Sequence, residues 1–193
     1  MKISLKDAIK ELNEGRVIAV PTDTVYGLVA RFDDKIAIDR IYELKKRPLS
    51  KNLILFIRND NDLHKFVKET PPFTLKLASI FWPGPLTMVF PSKILGGESI
   101  GIRIPNHKTT LSLLEKIGPL LSTSANVSSC SSSINIEQVE LSFGEDFPVL
   151  DGEGVVKGVE STIILYRDYK WQIIRKGCIS NNKILTEIIK LDK

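Results

Sequence analysis

Histidine and cysteine are nearly missing from this chain, with two of each in 193 residues. Cys130 and Cys178 form no CxxC pair and no secreted-type disulfide framework. His64 and His107 are isolated, so no zinc-ligand spacing exists and a Ser-His-Asp triad would have to use one of two scattered histidines. Most metallohydrolase chemistry is thereby disfavoured. Aromatic residues are 7% and show no stacking-platform motif for RNA bases. Long apolar runs are absent too. The longest, Leu53 to Ile57, is far below the roughly 20 residues that span a bilayer, and the N-terminus lacks a signal-peptide core, so a cytoplasmic protein without membrane association is expected.

What remains is an ordinary globular composition: 42% hydrophobic, 26% charged, 12 Gly and 10 Pro. That excludes disorder, collagen and coiled coil. No repeat and no composition shift divides the chain, so residues 1–193 read as one α/β domain with a mixed sheet and flanking helices. The net charge of +4 is compatible with anionic ligands or nucleic acid but selects neither.

Local signals set the elements. Ser4, three residues before Asp7, caps a first helix that stops at Gly15. Val17 to Val20 reads as a buried strand that empties into the loop Pro21 to Leu28. Ile36 to Leu44 is a helix running into Lys45-Lys46-Arg47, with Pro48 as breaker. Further strands are expected at Leu53 to Ile57, Leu86 to Phe90, Ile100 to Ile104, Pro119 to Thr123, Phe147 to Leu150, Ser161 to Tyr166 and Trp171 to Arg175. Short helices are expected near Leu63 to Val67, Leu75 to Phe81 and Thr109 to Lys116, and a last one, capped by Ser180, from Asn182 to Leu191. The serine-rich run Ser128 to Ser133 is too short for a linker and reads as a loop beside a site.

Polar clusters follow these strand and helix ends: Thr22-Asp23-Thr24, Lys45 to Arg47 with Lys51, Arg103, Ser122 to Asn126, Glu160-Ser161-Thr162 and Arg175. Cations and hydroxyls dominate, which suits phosphates and carboxylates better than proton-transfer hydrolysis. Each cluster also has a plainer reading. Lys45 to Arg47 could be cations at a helix C-terminus, favoured by the macrodipole. Arg103, alternating with isoleucines, either faces solvent on an edge strand or has a buried partner. The threonines and serines could be turn formers and caps. The run Gly152 to Gly158 resembles a phosphate loop only superficially, because it fails the GxxxxGK[ST] order.

Seven motifs in succession resolve the choice: PTDTVYGL at 21–28, KKRP at 45–48, FWPGPLT at 81–87, GIRIPNH at 101–107, STSAN at 122–126, EST at 160–162 and IIRKG at 173–177. This succession resembles the TsaC/YrdC family of threonylcarbamoyl-AMP synthases and covers nearly the whole chain. The resemblance implies a twisted mixed sheet around a concave positive pocket. It implies the conversion of ATP, L-threonine and bicarbonate or CO₂ to threonylcarbamoyl-AMP and pyrophosphate, for threonylcarbamoyladenosine modification of tRNA. By motif match, Thr24, Arg103, Ser122 and Ser161 would contact threonine or its carbamoyl derivative. Lys45, Arg47, Lys51, Ser99, Ser124, Asn126, Ser132 and Arg175 would line the ATP side, with Mg²⁺ travelling on the nucleotide. No covalent nucleophile and no resident metal ligand is implied, and partners would be tRNA and the downstream transferase machinery.

The chain departs from the family's usual pattern at Asn52, where many relatives have proline, at Ser128-Ser129 in place of a Ser-Gly pair, and at Lys176 in place of proline. The family also has a longer form with an added C-terminal domain, and this chain ends about where the catalytic domain alone would. Two other readings stay open on the residues: an RNA-binding module of the same fold, and a paralogue forming a different carbamoyl or acyl adenylate.

Overall fold

The computed structural model describes residues 1–94, 98–154 and 156–191; Val155, within the glycine-rich run noted above, lies outside them. Among the described residues, ten strands join one mixed sheet in the order β1-β8-β2-β3-β7-β4-β6-β5-β9-β10. In chain order the strands are β1 (Lys2–Ile3), β2 (Ile18–Val20), β3 (Gly27–Arg31), β4 (Ile54–Phe56), β5 (Leu86–Pro91), β6 (Ser99–Arg103), β7 (Leu120–Ser124), β8 (Val149–Leu150), β9 (Thr162–Arg167) and β10 (Lys170–Arg175). The helices are α1 (Leu5–Asn13), α2 (Lys35–Lys45), α3 (Leu63–Phe66), α4 (Thr74–Phe81), α5 (Lys108–Ile117), α6 (Ile136–Phe143) and α7 (Asn181–Leu191). This is the expected α/β architecture with flanking helices.

Both faces of the sheet are covered, and side-chain alternation sorts residues between them. On β3, Leu28 and Ala30 join one apolar cluster with Ile41 of α2 and Leu77 of α4. Val29 joins the other, with Leu12 of α1 and Leu113 of α5. Burial on both sides explains why these strands are short apolar runs rather than alternating ones.

Local chemistry behaves as anticipated at several ends. The Ser4 hydroxyl accepts from the Asp7 amide at 3.2 Å, Gly15 adopts a left-handed φ of 74°, and Ser180 accepts from the Lys183 amide at 3.4 Å. Three elements were not anticipated. β1 is a two-residue strand whose pairing with β8 has no local signal. β3 begins inside the segment read as loop and is an interior strand buried from Gly27 to Ala30. α6 is capped by the Asn135 side-chain Oδ1, which accepts from the Gln138 amide, but only Val139 of the helix is buried, so its apolar stripe is thin.

Of the two alternatives open for Arg103, the edge strand is not the one the fold adopts. β6 lies inside the sheet between β4 and β5, so the alternation around Arg103 does not mark a solvent-facing side. No helix among the described residues is long and apolar enough to cross a membrane.

Burial sets a contrast between two apolar truncations. Ile102, fully enclosed on β6, should lose about 2–5 kcal/mol of stability as Ile102→Ala. Leu141→Ala on α6, where the side chain is 86% exposed, should change it by no more than about 0.5 kcal/mol. Urea unfolding of both variants checks the pair.

Candidate active site

The motif residues meet where the ends of β3, β4, β6, β7 and β9 face one another. A cavity of about 230 Å³ is lined there by Thr22, Thr24, Arg47, Asn52, Phe56, Arg103, Ser122, Ser124, Glu160, Ser161 and Arg175, among others. A wider groove of about 820 Å³ elsewhere, bounded by Phe32, Arg58, Asp62, Lys65 and Glu115, mixes both charge signs and holds none of the motif residues. Converging donors, not size, single out the smaller cavity.

Arg103 is 3% exposed and is the most buried of the cations that line the cavity. Its Nε donates to the Gly84 carbonyl at 3.0 Å, Nη1 to Thr24 Oγ1 at 2.8 Å and Nη2 to Asp23 Oδ1 at 2.5 Å. The Phe56 ring, opposite in the β4–β6 register, lies 5.8 Å from its Cζ. Burial pulls the Arg103 pKa below the usual guanidinium value, and the Asp23 charge opposes that pull. The buried-partner reading of Arg103 is therefore the one the fold realises.

Proton counting orients the neighbouring threonines. Thr22 Oγ1 donates its single proton to the Val25 carbonyl at 2.7 Å. The 2.9 Å bond between Thr22 and Thr24 must then be donated by Thr24. Thr24 Oγ1 thus accepts from Arg103 and has no proton left for a ligand.

Ser122 and Ser124 point to the same side of β7, paired with Val29 and Gly27 of β3. A Cβ on Gly27 would sit 2.8 Å from Ser122 Oγ, so the absent side chain keeps that hydroxyl in place. On the far wall, Ser161 Oγ accepts from Arg175 Nη2 at 2.9 Å and pairs with Thr87 Oγ1 at 2.8 Å. An irregularity in β10 between Ile173 and Arg175 turns Arg175 toward the cavity. Its Nη1 meets Glu160 Oε2 at 2.7 Å, and Glu160 Oε1 accepts from Ser132 at 3.1 Å.

Lys45 does something neither sequence reading described. It is 1% exposed at the end of α2. Its Nζ donates to the Ser124 carbonyl at 2.6 Å and to the Asn126 carbonyl and Oδ1 at 2.8 and 3.0 Å. The Lys45 carbonyl in turn accepts from Ser128. Lys45 and Asn126 therefore stand behind the cavity wall and hold the Ser124–Asn126 loop. Burial pushes the Lys45 amine down to about 8, with the nearby Arg47 charge adding to the effect.

Lys46, in the left-handed region at φ 50°, ends α2 and redirects the chain toward Arg47. Arg47 lines the cavity and donates to the Lys51 and Asn52 carbonyls at 3.1 and 3.0 Å. Asn52, the departure from proline, donates its amide to the Ser99 carbonyl at 3.2 Å. Ser99 itself lines an adjoining groove of about 650 Å³, which shares Asn52 with the cavity. Lys51 contributes its carbonyl, while its side chain is exposed.

Residues 10–177 match the Sua5/YciO/YrdC family model, described as Telomere recombination. The chain belongs to this family. It is 39% identical over 156 residues to threonylcarbamoyl-AMP synthase of Escherichia coli K12, covering 76% of this chain and 82% of that protein. It is 37% identical over 175 residues to threonylcarbamoyl-AMP synthase of Pyrococcus abyssi, covering 86% of this chain and 52% of that protein. The crystal structure of P. abyssi Sua5 complexed with L-threonine superposes with a TM-score of 0.91 at 32% identity, over 97% of this chain and 61% of that one. This chain thus spans between half and two thirds of the P. abyssi protein. Escherichia coli YciO, at 22% identity and a TM-score of 0.82, shares the fold.

Thr24, Arg103, Ser122, Ser161, Arg47, Ser124 and Arg175 come together at the cavity of this family member. Lys45 and Asn126 sit behind it, Ser132 reaches it through Glu160, Ser99 lines the adjoining groove, and Lys51 lies outside. Asp23 and Phe56 were not among the expected site residues. Asp23 carried a signal, an acid between two threonines at a strand exit, but its partner is 80 residues away.

Lys45 has a consequence for pH. Below about pH 8 both folded and unfolded chains hold its proton, and the full cost of burying the charge is felt. Between about 8 and 10.5 the unfolded chain binds more protons, so this group makes folding more favourable as pH rises. Urea melts of the wild type and Lys45→Met across that window should show the difference in unfolding free energy shifting in favour of the wild type as pH rises.

Proposed function

We propose that this protein makes threonylcarbamoyl-AMP and pyrophosphate from ATP, L-threonine and bicarbonate or CO₂. The observation that carries the reading is one cavity in which Arg47, Arg103 and Arg175 converge among serine and threonine hydroxyls, in a chain 39% identical to the E. coli synthase. A small enclosed site suits amino-acid and phosphate groups better than an extended RNA backbone.

In this reading Arg103 takes the threonine carboxylate through the donors left on its terminal nitrogens. Thr24, its proton committed to Thr22, serves as an acceptor beside it. Ser122 and Ser161 orient the amine and the carbamoyl group. Arg47 and Arg175 take the triphosphate, with Ser124 and Ser132 on the same side. Lys45 and Asn126 act through the loop they hold. Lys51 lies at the outer edge of the nucleotide side, and the adjoining groove at Asn52 and Ser99 takes the nucleoside.

The threonine amine attacks the carbon of CO₂ and loses a proton to solvent, or attacks bicarbonate with loss of water, and either way gives a carbamate. A carbamate oxygen then attacks the α-phosphorus in line, and pyrophosphate leaves. The protein's contribution is orientation and fixed positive charge rather than a covalent intermediate. Among the described residues no cluster of three His, Cys, Asp or Glu side chains is placed to hold a metal, so Mg²⁺ would enter on the triphosphate of ATP. One domain spanning 1–193 carries this chemistry. Its product is a mixed anhydride, consumed by the transferase that modifies tRNA in the cytoplasm.

Pyrophosphate release from ATP should require both L-threonine and bicarbonate, and release indifferent to threonine would overturn the assignment. Arg103→Ala should raise the KM for threonine at least about tenfold more than the KM for ATP. Equal effects on the two would remove the carboxylate role of Arg103.

A further inference from the structure

We propose that Asp23 is the positioning residue of amino-acid recognition: it aims the Arg103 guanidinium at the substrate carboxylate without lining the cavity itself. The proposal rests on the reading of Arg103 as the carboxylate site.

Asp23 is buried behind the guanidinium and is absent from the cavity wall. That location matters electrostatically. A carboxylate at the wall would repel the carboxylate of the substrate, whereas one on the far side of the arginine balances its charge and leaves the near side positive. Asp23 Oδ1 accepts from Arg103 Nη2 and also from the Asn106 backbone amide at 2.9 Å. The second bond fastens the carboxylate to main chain just beyond β6, so its place does not depend on the arginine it directs.

Three of the five N–H donors of Arg103 are spent, one each on Gly84, Thr24 and Asp23. By count, one N–H remains on each terminal nitrogen. That pair has the spacing of the two oxygens of a carboxylate. Gly84 and Thr24 are neutral anchors, so Asp23 is the anchor that makes the buried orientation electrostatically tolerable. Without it, the guanidinium would pivot about its bond to Gly84 toward the solvent side of the cavity, and the two free donors would no longer point together.

Asp23 Oδ2 has no hydrogen-bond partner among the described residues. An Asp23→Asn change therefore keeps Oδ1 as acceptor for both Arg103 and Asn106 while displacing no existing partner. Asp23→Ala removes the acceptor as well as the charge. The two variants separate aim from charge.

Calorimetric binding of L-threonine and of L-threonine amide, which lacks the carboxylate, to the full chain tests the idea, with the KM for ATP as internal control. The wild type should favour threonine over the amide. Asp23→Ala should lower that preference by about tenfold or more, with the KM for ATP within about twofold, and Asp23→Asn, which keeps the acceptor but loses the charge, should fall between Asp23→Ala and the wild type. A wild-type preference in Asp23→Ala, or equal weakening of threonine, amide and ATP, overturns the proposal. If Asp23→Ala does not fold, Asp23→Glu decides: it keeps the charge one methylene farther out, so an unchanged preference rules out aiming by Asp23. A wild type without any preference for threonine removes the carboxylate-site reading itself, an outcome distinct from failure at Asp23 alone.

Discussion

A guanidinium ion held at the end of an interior strand is the constraint around which the cavity is organised. Taking Arg103 out of water costs several kcal/mol unless its donors and charge are met. The ways in which they are met recruit distant parts of the chain: Asp23 and Thr24 from the loop after β2, Gly84 from the turn before β5, and Phe56 from β4. Each of these segments is fixed as a by-product of satisfying one side chain. The loop after β2 is held from its other side by Thr110 of α5, which donates to the Pro21 carbonyl.

The four site cations differ in how much of their hydrogen-bonding capacity is left. Lys45 is fully engaged by the Ser124–Asn126 loop. Arg175 is divided between Glu160 and Ser161, and Arg47 is held by two carbonyls along its own chain. By count Arg103 and Arg175 each keep one N–H on both terminal nitrogens, and Arg47 keeps three. A site with this gradation discriminates by geometry, because a ligand must find unspent donors rather than a diffuse positive field. The weak net charge of the chain is therefore a poor guide to what it binds.

Local signals in the sequence carried several element ends, though not the equally local Asn135 cap of α6. The Ser4 and Ser180 caps and the Gly15 stop each act within a few residues, and each was legible. Strand order is different in kind. Whether Arg103 sits on an edge or inside the sheet depends on β4 and β5 flanking β6, which no spacing records. Lys45 is a cation at a helix end by sequence, and its tether to residues 79 and 81 positions away exists only in three dimensions. The motif succession pointed to polar residues of which seven line the cavity, while Lys51 lies outside it and Ser99 lines the adjoining groove. It did not separate those that line the cavity from those, such as Asp23, Lys45 and Asn126, that stand behind it.

The sheet order has a kinetic side. β1 pairs with β8, β3 with β7 and β5 with β9, so the wall of the cavity is closed by strands far apart along the chain. Such a topology must spend loop-closure entropy before most native pairings are rewarded, which slows folding relative to helical proteins of similar size. Arg103 on β6, Ser122 on β7 and Arg175 on β10 become neighbours only once the stretch of sheet from β7 to β10 has paired. A ligand that needs all three acts on that assembled arrangement as a mass-action stabiliser.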